Sequence, residues 1–153
     1  MIKLKSPEEI KTLRAGGQIL AQTLKQLAAE VKPGIKTNEL ELKARELLRV
    51  AGAEPSFLNY KPAGSRLVYP TALCVSVNEE IVHGIPSERE LKEGDLVTLD
   101  LGVKYQGLFT DMAITVPVGE ISSEVKKLLA GTEEALNAGI KAAKINGRVG
   151  DIS

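Results

Sequence analysis

Residues Thr98–Ala113 read TLDLGVKYQGLFTDMA. Two apolar runs flank a short turn, and each run carries one aspartate. Asp100 sits between Leu99 and Leu101, and Asp111 precedes Met112-Ala113-Ile114-Thr115-Val116. The pattern predicts a β-hairpin, with Gly107 supplying the left-handed residue that such loops need. If the two aspartates oppose each other, the turn centres between Tyr105 and Gln106. Their β-carbons then stand about 4.5–5.5 Å apart on one face.

Two carboxylates that close, flanked by apolar side chains, repel each other and lose solvent together. Three arrangements relieve this. A divalent cation can bridge them, because carboxylate oxygens suit hard and borderline ions. One proton can be shared, as in a carboxyl dyad. Or the shared face can be open to water. A metal site needs more donors than the hairpin offers.

The rest of the chain builds outward from this hairpin. Ser6-Pro7-Glu8-Glu9 starts a helix: a serine cap, proline at the first helical position and glutamate at the third. Ile10, Leu13, Ile19, Leu20, Leu24, Leu27 and Val31 give it an apolar stripe, and Lys32-Pro33-Gly34 ends it. Thr37 is placed to cap a second helix running to about Val50. Ser56 to Tyr69 reads as a loop or a short strand pair. Leu73–Val77 reads as a strand, with a further strand at Glu80-Ile81-Val82-His83. Lys92-Glu93-Gly94-Asp95 turns into the hairpin, and a third helix runs from Ser122 or Ser123 to Ala143. The tail INGRVGDIS repeats the grammar of VKPGIKTNEL, pairing Gly147 with Gly34 and Asp151 with Asn38. The reading is a weak internal repeat whose second copy is cut short.

Composition excludes several classes. The 153 residues suit one domain, and 43% are apolar. Twenty basic and twenty acidic residues cancel, so no direct nucleic-acid partner is expected. Aromatic residues make up 3%, with no tryptophan, too few for a base-stacking platform. The one cysteine, Cys74, rules out an internal disulfide framework. The charged start lacks a signal peptide's apolar core, and no window reaches membrane-span length. The expectation is a cytoplasmic protein with no membrane partner. His83 is the only histidine, so a histidine-rich zinc site within the chain is ruled out. At a strand end it suits hydrogen bonding or proton transfer, although such a histidine is more often structural. Cys74, between Leu73 and Val75, reads as a buried thiol.

Taken together, SPEEIKTLRAGGQIL, VKPGIKTNEL, YPTALCVSVNEEIVHGIP, LKEGDLVTLDLG and FTDMAITVPVG resemble the type I methionine aminopeptidases along nearly the whole chain. The resemblance implies an α/β (α+β) pita-bread fold, the creatinase/aminopeptidase fold, of which this chain is one half: a curved antiparallel sheet with helices on one face. It implies that residues 1–153 are the N-terminal portion of a single catalytic domain that stops before the second pseudo-symmetric half. The implied activity is metal-dependent removal of the N-terminal methionine from nascent polypeptides.

The resemblance also implies roles. Asp100 and Asp111 fall on the first two metal ligands, shared by two divalent ions (Co, Mn, Fe or Zn), with Asp111 reaching both. His83 falls on the histidine that contacts substrate beside the scissile amide. Tyr69 and Cys74 fall on positions lining the methionine pocket, with Phe57 and Tyr60 near it. The family's other ligands, one histidine and two glutamates, have no match among Glu120, Glu124, Glu133, Glu134 and Asp151. The isolated chain is therefore expected to be inactive, and to self-associate or pair with a separately encoded C-terminal half. A non-catalytic peptide-binding module of the same fold, or half of a proline-specific peptidase, are the competing readings.

Overall fold

In the computed structural model, residues 3–64 and 66–153 are described. They divide into a unit that ends at Gly119 and a second, Glu120–Ser153. In the first unit, helix α1 (Pro7–Glu30) begins as its sequence dictates. The Ser6 hydroxyl accepts from the Glu9 amide, and the Glu9 carboxylate accepts from the Ser6 amide. Helix α2 spans Thr37–Val50.

Thr37 does not cap α2; Lys36 holds the cap position, and Glu39 accepts from the Lys36 amide at 2.9 Å. The Thr37 hydroxyl, on a buried residue, bonds to a neighbouring segment instead. It donates to the Ser87 carbonyl and accepts from the Ser87 amide. That exchange ties the start of α2 to the segment following His83.

Four strands form one antiparallel sheet: β1 (Glu54–Pro55), β2 (Leu73–Val77), β3 (Leu96–Tyr105) and β4 (Leu108–Pro117). β3 is central. β4 lies along one of its edges, and β2 and β1 follow one another along the other. The expected strand at Glu80–His83 does not form. Asn78 (φ 58°) and His83 (φ 61°) both adopt left-handed backbone, which no strand can continue through.

The hairpin register differs from the expected one. Gln106 (φ 48°) and Gly107 (φ 81°) are the two turn residues, and Tyr105 pairs with Leu108. The turn therefore centres one residue later than expected, between Gln106 and Gly107. A two-residue loop with positive φ at both positions matches the twist of the strands. Asp100 accordingly pairs with Ala113, and Asp111 with Gly102. The aspartates are diagonal rather than opposed, and they still share a face.

Strand alternation explains that face. Val97, Leu99, Leu101 and Val103 of β3 join Leu73, Val75 and Val77 of β2 in the core. Against them pack Leu20, Leu24 and Leu27 of α1 and Leu40, Ala44 and Leu48 of α2. Each fully buried leucine contributes about 1.5–3 kcal/mol. The even-numbered residues point the other way: Cys74 and Ser76 on β2, and Thr98, Asp100 and Gly102 on β3. Both helices cover one side of the sheet, and Cys74, Asp100 and Asp111 sit on the other.

The second unit holds α3 (Ser123–Ala142), capped by the Ser122 hydroxyl, and a 3-10 turn at Val149–Asp151. None of its helical residues is buried. The repeat noted in the sequence is visible, shifted by one residue. Asn146 (φ 65°) occupies the place of Gly34 (φ 88°), four residues past its helix. Asp151 accepts from the Arg148 amide at 2.8 Å as Glu39 does from Lys36.

Candidate active site

The open face of the sheet carries a pocket of about 470 Å³. Phe57, Tyr60, Tyr69, Cys74, His83 and Ile85 are among its walls, so the lining is almost wholly apolar. Three local devices build it. Gly102 leaves room for Ser56 and Phe57 to cross the sheet, and the Ser56 amide donates to the Gly102 carbonyl at 2.9 Å. Phe57 then meets Tyr69 edge to face at 6.5 Å. Gly84 passes so close to β2 that a β-carbon there would lie 2.2 Å from the Val75 carbonyl oxygen. The Val75 amide donates to the Gly84 carbonyl, and the Gly84 amide to the Ser76 hydroxyl. His83 is thereby held next to the strand that carries Cys74.

Tyr69 joins these walls. Its hydroxyl lies 3.1 Å from Cys74 Sγ and 3.3 Å from the Gly84 carbonyl. Burial pushes the phenol above its ordinary range. Burial also pushes the Cys74 thiol up, and the Tyr69 hydrogen bond offsets part of that.

Cys74 pairs with Asp100 across β2 and β3. One ligand atom each from Cys74, His83 and Asp100 lies within 4.8 Å of the other two. Asp100 is half-buried, and its shielded Oδ1 has no hydrogen-bond partner among the described residues. Burial first, and the Asp111 charge second, raise its carboxyl above the ordinary aspartate value, while His83 opposes the rise. Asp111 is exposed at its surface, and partial burial raises its pKa as well. Of the three arrangements open to the pair, the water-facing one describes Asp111. For Asp100 a shielded, unpartnered carboxyl oxygen is relieved by a proton or by a cation, and an oxygen donor beside a thiol and an imidazole fits a divalent metal.

The structure thus brings together His83, Tyr69 and Cys74 as pocket walls, with Asp100 beside them. Phe57 and Tyr60 also line the pocket. Two contributions escaped sequence reasoning. Cys74 reads as pocket lining, yet strand alternation puts its sulfur on the Asp100 face. Glu41 gives no signal beyond a polar residue on a helix. It is buried, accepts from the Ala72 and Leu73 amides at 2.8 Å each, and pairs with Arg45. Arg45 in turn donates to the Pro70 carbonyl. Together they clamp the segment between Tyr69 and Cys74 to α2.

Comparison with known proteins places this geometry. Residues 11–153 match metallopeptidase family M24. The methionine aminopeptidase of Aquifex aeolicus is 47% identical over 153 residues, covering 99% of this chain and 59% of that protein. Methionine aminopeptidase 1 of Bacillus subtilis is 44% identical, with 100% and 59% covered. The crystal structure of the Thermotoga maritima methionine aminopeptidase superposes with a TM-score of 0.87 at 38% identity, covering 94% of this chain and 56% of that one. The fold is the pita-bread architecture of these neighbours. The chain spans just under three fifths of the length of the curated relatives it matches.

Proposed function

The chain belongs to metallopeptidase family M24, and from that premise we propose that it supplies the substrate pocket and first metal ligands of a methionine aminopeptidase. The substrate class is the N-terminal peptide of nascent polypeptides, met in the cytoplasm. The observation that carries this reading is the apolar pocket opening beside Asp100, walled by Tyr69, Cys74 and His83. Its size and lining suit an unbranched, polarisable thioether side chain.

Asp100 and Asp111 are the residues that would hold the divalent ions, two per complete site. Bound divalent ions lower the pKa of water and polarise a peptide carbonyl. This chain's own residues bind and orient. The pocket walls take the methionine side chain and exclude water from it. His83, exposed at the pocket mouth, would hydrogen-bond the substrate amide next to the side chain. The Val75 amide fixes the loop that presents His83, through the Gly84 carbonyl, and the Tyr69 hydroxyl packs 3.3 Å from the same oxygen. Neither hairpin carboxylate replaces the further ligands and proton-shuttling group of the complete enzyme, so the 153-residue chain alone has no turnover. Turnover requires the remaining ligands together with those of this chain.

The test uses a Met-Ala-Ser peptide with Mn²⁺ and the purified chain. Saturable binding that Ala-Ala-Ser does not match, without hydrolysis, is expected. Hydrolysis is expected once the remaining part of a relative is added as a separate polypeptide. Clear turnover by the chain alone overturns the inactivity. Equal binding of both peptides overturns the methionine pocket. Binding with no turnover after complementation favours a non-catalytic peptide-binding module.

A further inference from the structure

Cys74, His83 and Asp100 form a donor set that the aminopeptidase reading does not use as such. That reading pairs Asp100 with Asp111, two oxygen ligands along the hairpin. A sulfur, an imidazole nitrogen and a carboxylate oxygen from Cys74, His83 and Asp100 also lie within 4.8 Å of one another. Asp111 is not part of that group. We propose that Cys74 Sγ, a ring nitrogen of His83 and Asp100 form a site for a thiophilic divalent cation of the Zn²⁺ type, which competes with the carboxylate pair for Asp100.

The donor chemistry selects the ion. Thiolate and imidazole favour Zn²⁺ over Mg²⁺, Ca²⁺ or Mn²⁺, whereas two carboxylates do not. Three protein donors leave a fourth tetrahedral position open. At bond lengths of about 2.0–2.3 Å, tetrahedral donors lie about 3.4 Å apart. Contraction from the observed spacing is borne by rotation of the exposed His83 side chain, while Cys74 and Asp100 are fixed as a cross-strand pair.

Independent observations point to a ligand here. Asp100 Oδ1 is shielded from water with no hydrogen-bond partner among the described residues, a state that a cation relieves. The Tyr69 hydroxyl already stands 3.1 Å from Cys74 Sγ, placed to donate to a metal-bound thiolate from outside the ligand shell. Binding forms one S–Zn bond and breaks one S–H bond, and the thiol proton passes to solvent.

Because the two sites share Asp100, they exclude each other. A soft ion at the thiol pulls Asp100 away from the hairpin pair, and a hard ion at the pair leaves the thiol free. The inference goes beyond the aminopeptidase reading and does not depend on it. Its readouts are thiol-specific, so its failure leaves Mn²⁺ and peptide binding untouched.

Titration of the chain with Co²⁺, followed by absorption, tests it. A sulfur-to-cobalt charge-transfer band is expected, and Zn²⁺ should abolish it by displacement. The band should vanish in Cys74→Ser and in His83→Asn, a substitution suited to left-handed backbone. It should persist in Asp111→Asn, and Tyr69→Phe should weaken the affinity about tenfold. A second measurement does not depend on how the variants fold: Zn²⁺ should slow alkylation of Cys74 in the unaltered chain at least tenfold, and Mg²⁺ should not. Absence of the band in the unaltered chain overturns the proposal. So does a band that survives in a folded His83→Asn, or that is lost equally in Asp111→Asn.

Discussion

Asp111 faces Gly102 across the β3–β4 hairpin, two pairs along from Asp100 and on the same face. The missing side chain at Gly102 is what lets Ser56 and Phe57 cross the sheet. A β-carbon there would lie 1.9 Å from Ser56 Oγ and 2.6 Å from Phe57 Cε1. Gly102→Ala should therefore cost about 1–3 kcal/mol by overpacking and push Phe57 off its edge-on contact with Tyr69. A urea titration reads the first effect, and weakened Met-Ala-Ser binding reads the second. An unchanged unfolding midpoint would show that the crossing is looser than described.

Asp100 makes the metal-free chain sensitive to pH. Its carboxyl is raised above the ordinary value by burial and by Asp111, so the native state holds this proton more tightly than the unfolded chain. The associated stability is present below the ordinary aspartate pKa of about 3.9 and is lost as pH rises through the native value. With chelator present, Asp100→Asn should melt higher than the unaltered chain at pH 7, and the difference should shrink toward pH 3.5. Saturating Mn²⁺ should reverse the order: a cation at one hundred times its Kd stabilises by about 2.7 kcal/mol, and the variant gains little. Calorimetry in both conditions decides it. Equal melting temperatures with chelator at pH 7 would contradict the burial of this carboxylate.

Local signals carried most of the fold. The Ser6 cap, the apolar stripes of α1 and α2, and the run Leu73–Val77 are each written in a few adjacent residues. The hairpin register was not, because it hangs on whether Gln106 or Tyr105 takes left-handed backbone. Glycine marks such a position in a sequence; glutamine does not. The same blindness hid His83, whose φ of 61° ends the strand expected at Glu80–His83. In the site, Asp100 was legible as one of two carboxylates sharing a face with Asp111, but not as a residue on the face away from the core. Cys74 as its neighbour required knowing that β2 pairs with β3 at that register, a contact across 26 residues that periodicity cannot supply. Glu41 was invisible for a related reason: its partners are backbone amides 31 and 32 residues away.

Glu41 should be among the costliest single residues outside the apolar core. It is buried, and its two oxygens accept from the Ala72 and Leu73 amides. Glu41→Ala leaves both donors without a partner and frees Arg45, for a loss of about 2–4 kcal/mol. Glu41→Gln keeps one acceptor and should lose about half as much. The clamp also sets the segment between Tyr69 and Cys74, so Glu41→Gln should raise the alkylation rate of Cys74 even where the fold is intact by circular dichroism. An unchanged thiol rate in a folded variant would separate Glu41 from the pocket.

Left-handed backbone at His83 can be tested apart from its imidazole. Non-glycine residues pay about 1–2 kcal/mol for this conformation, asparagine less than most, and β-branched residues the most. Since His83 is exposed at φ 61°, its side chain contributes little packing, and substitutions there should rank by backbone cost alone. The expected order of stability is His83→Gly and His83→Asn above His83→Ala, with His83→Val lowest, and about 1 kcal/mol separating glycine from alanine. Urea midpoints of the four variants measure this. The outcome bears on the site, because Gly84 beside it is packed against the Val75 carbonyl and cannot relax to accommodate a change of conformation. If valine proves as stable as glycine, His83 is not held left-handed in solution. The imidazole would then not be fixed beside Cys74 and Asp100, and both the substrate contact and the thiophilic site would lose their geometric basis.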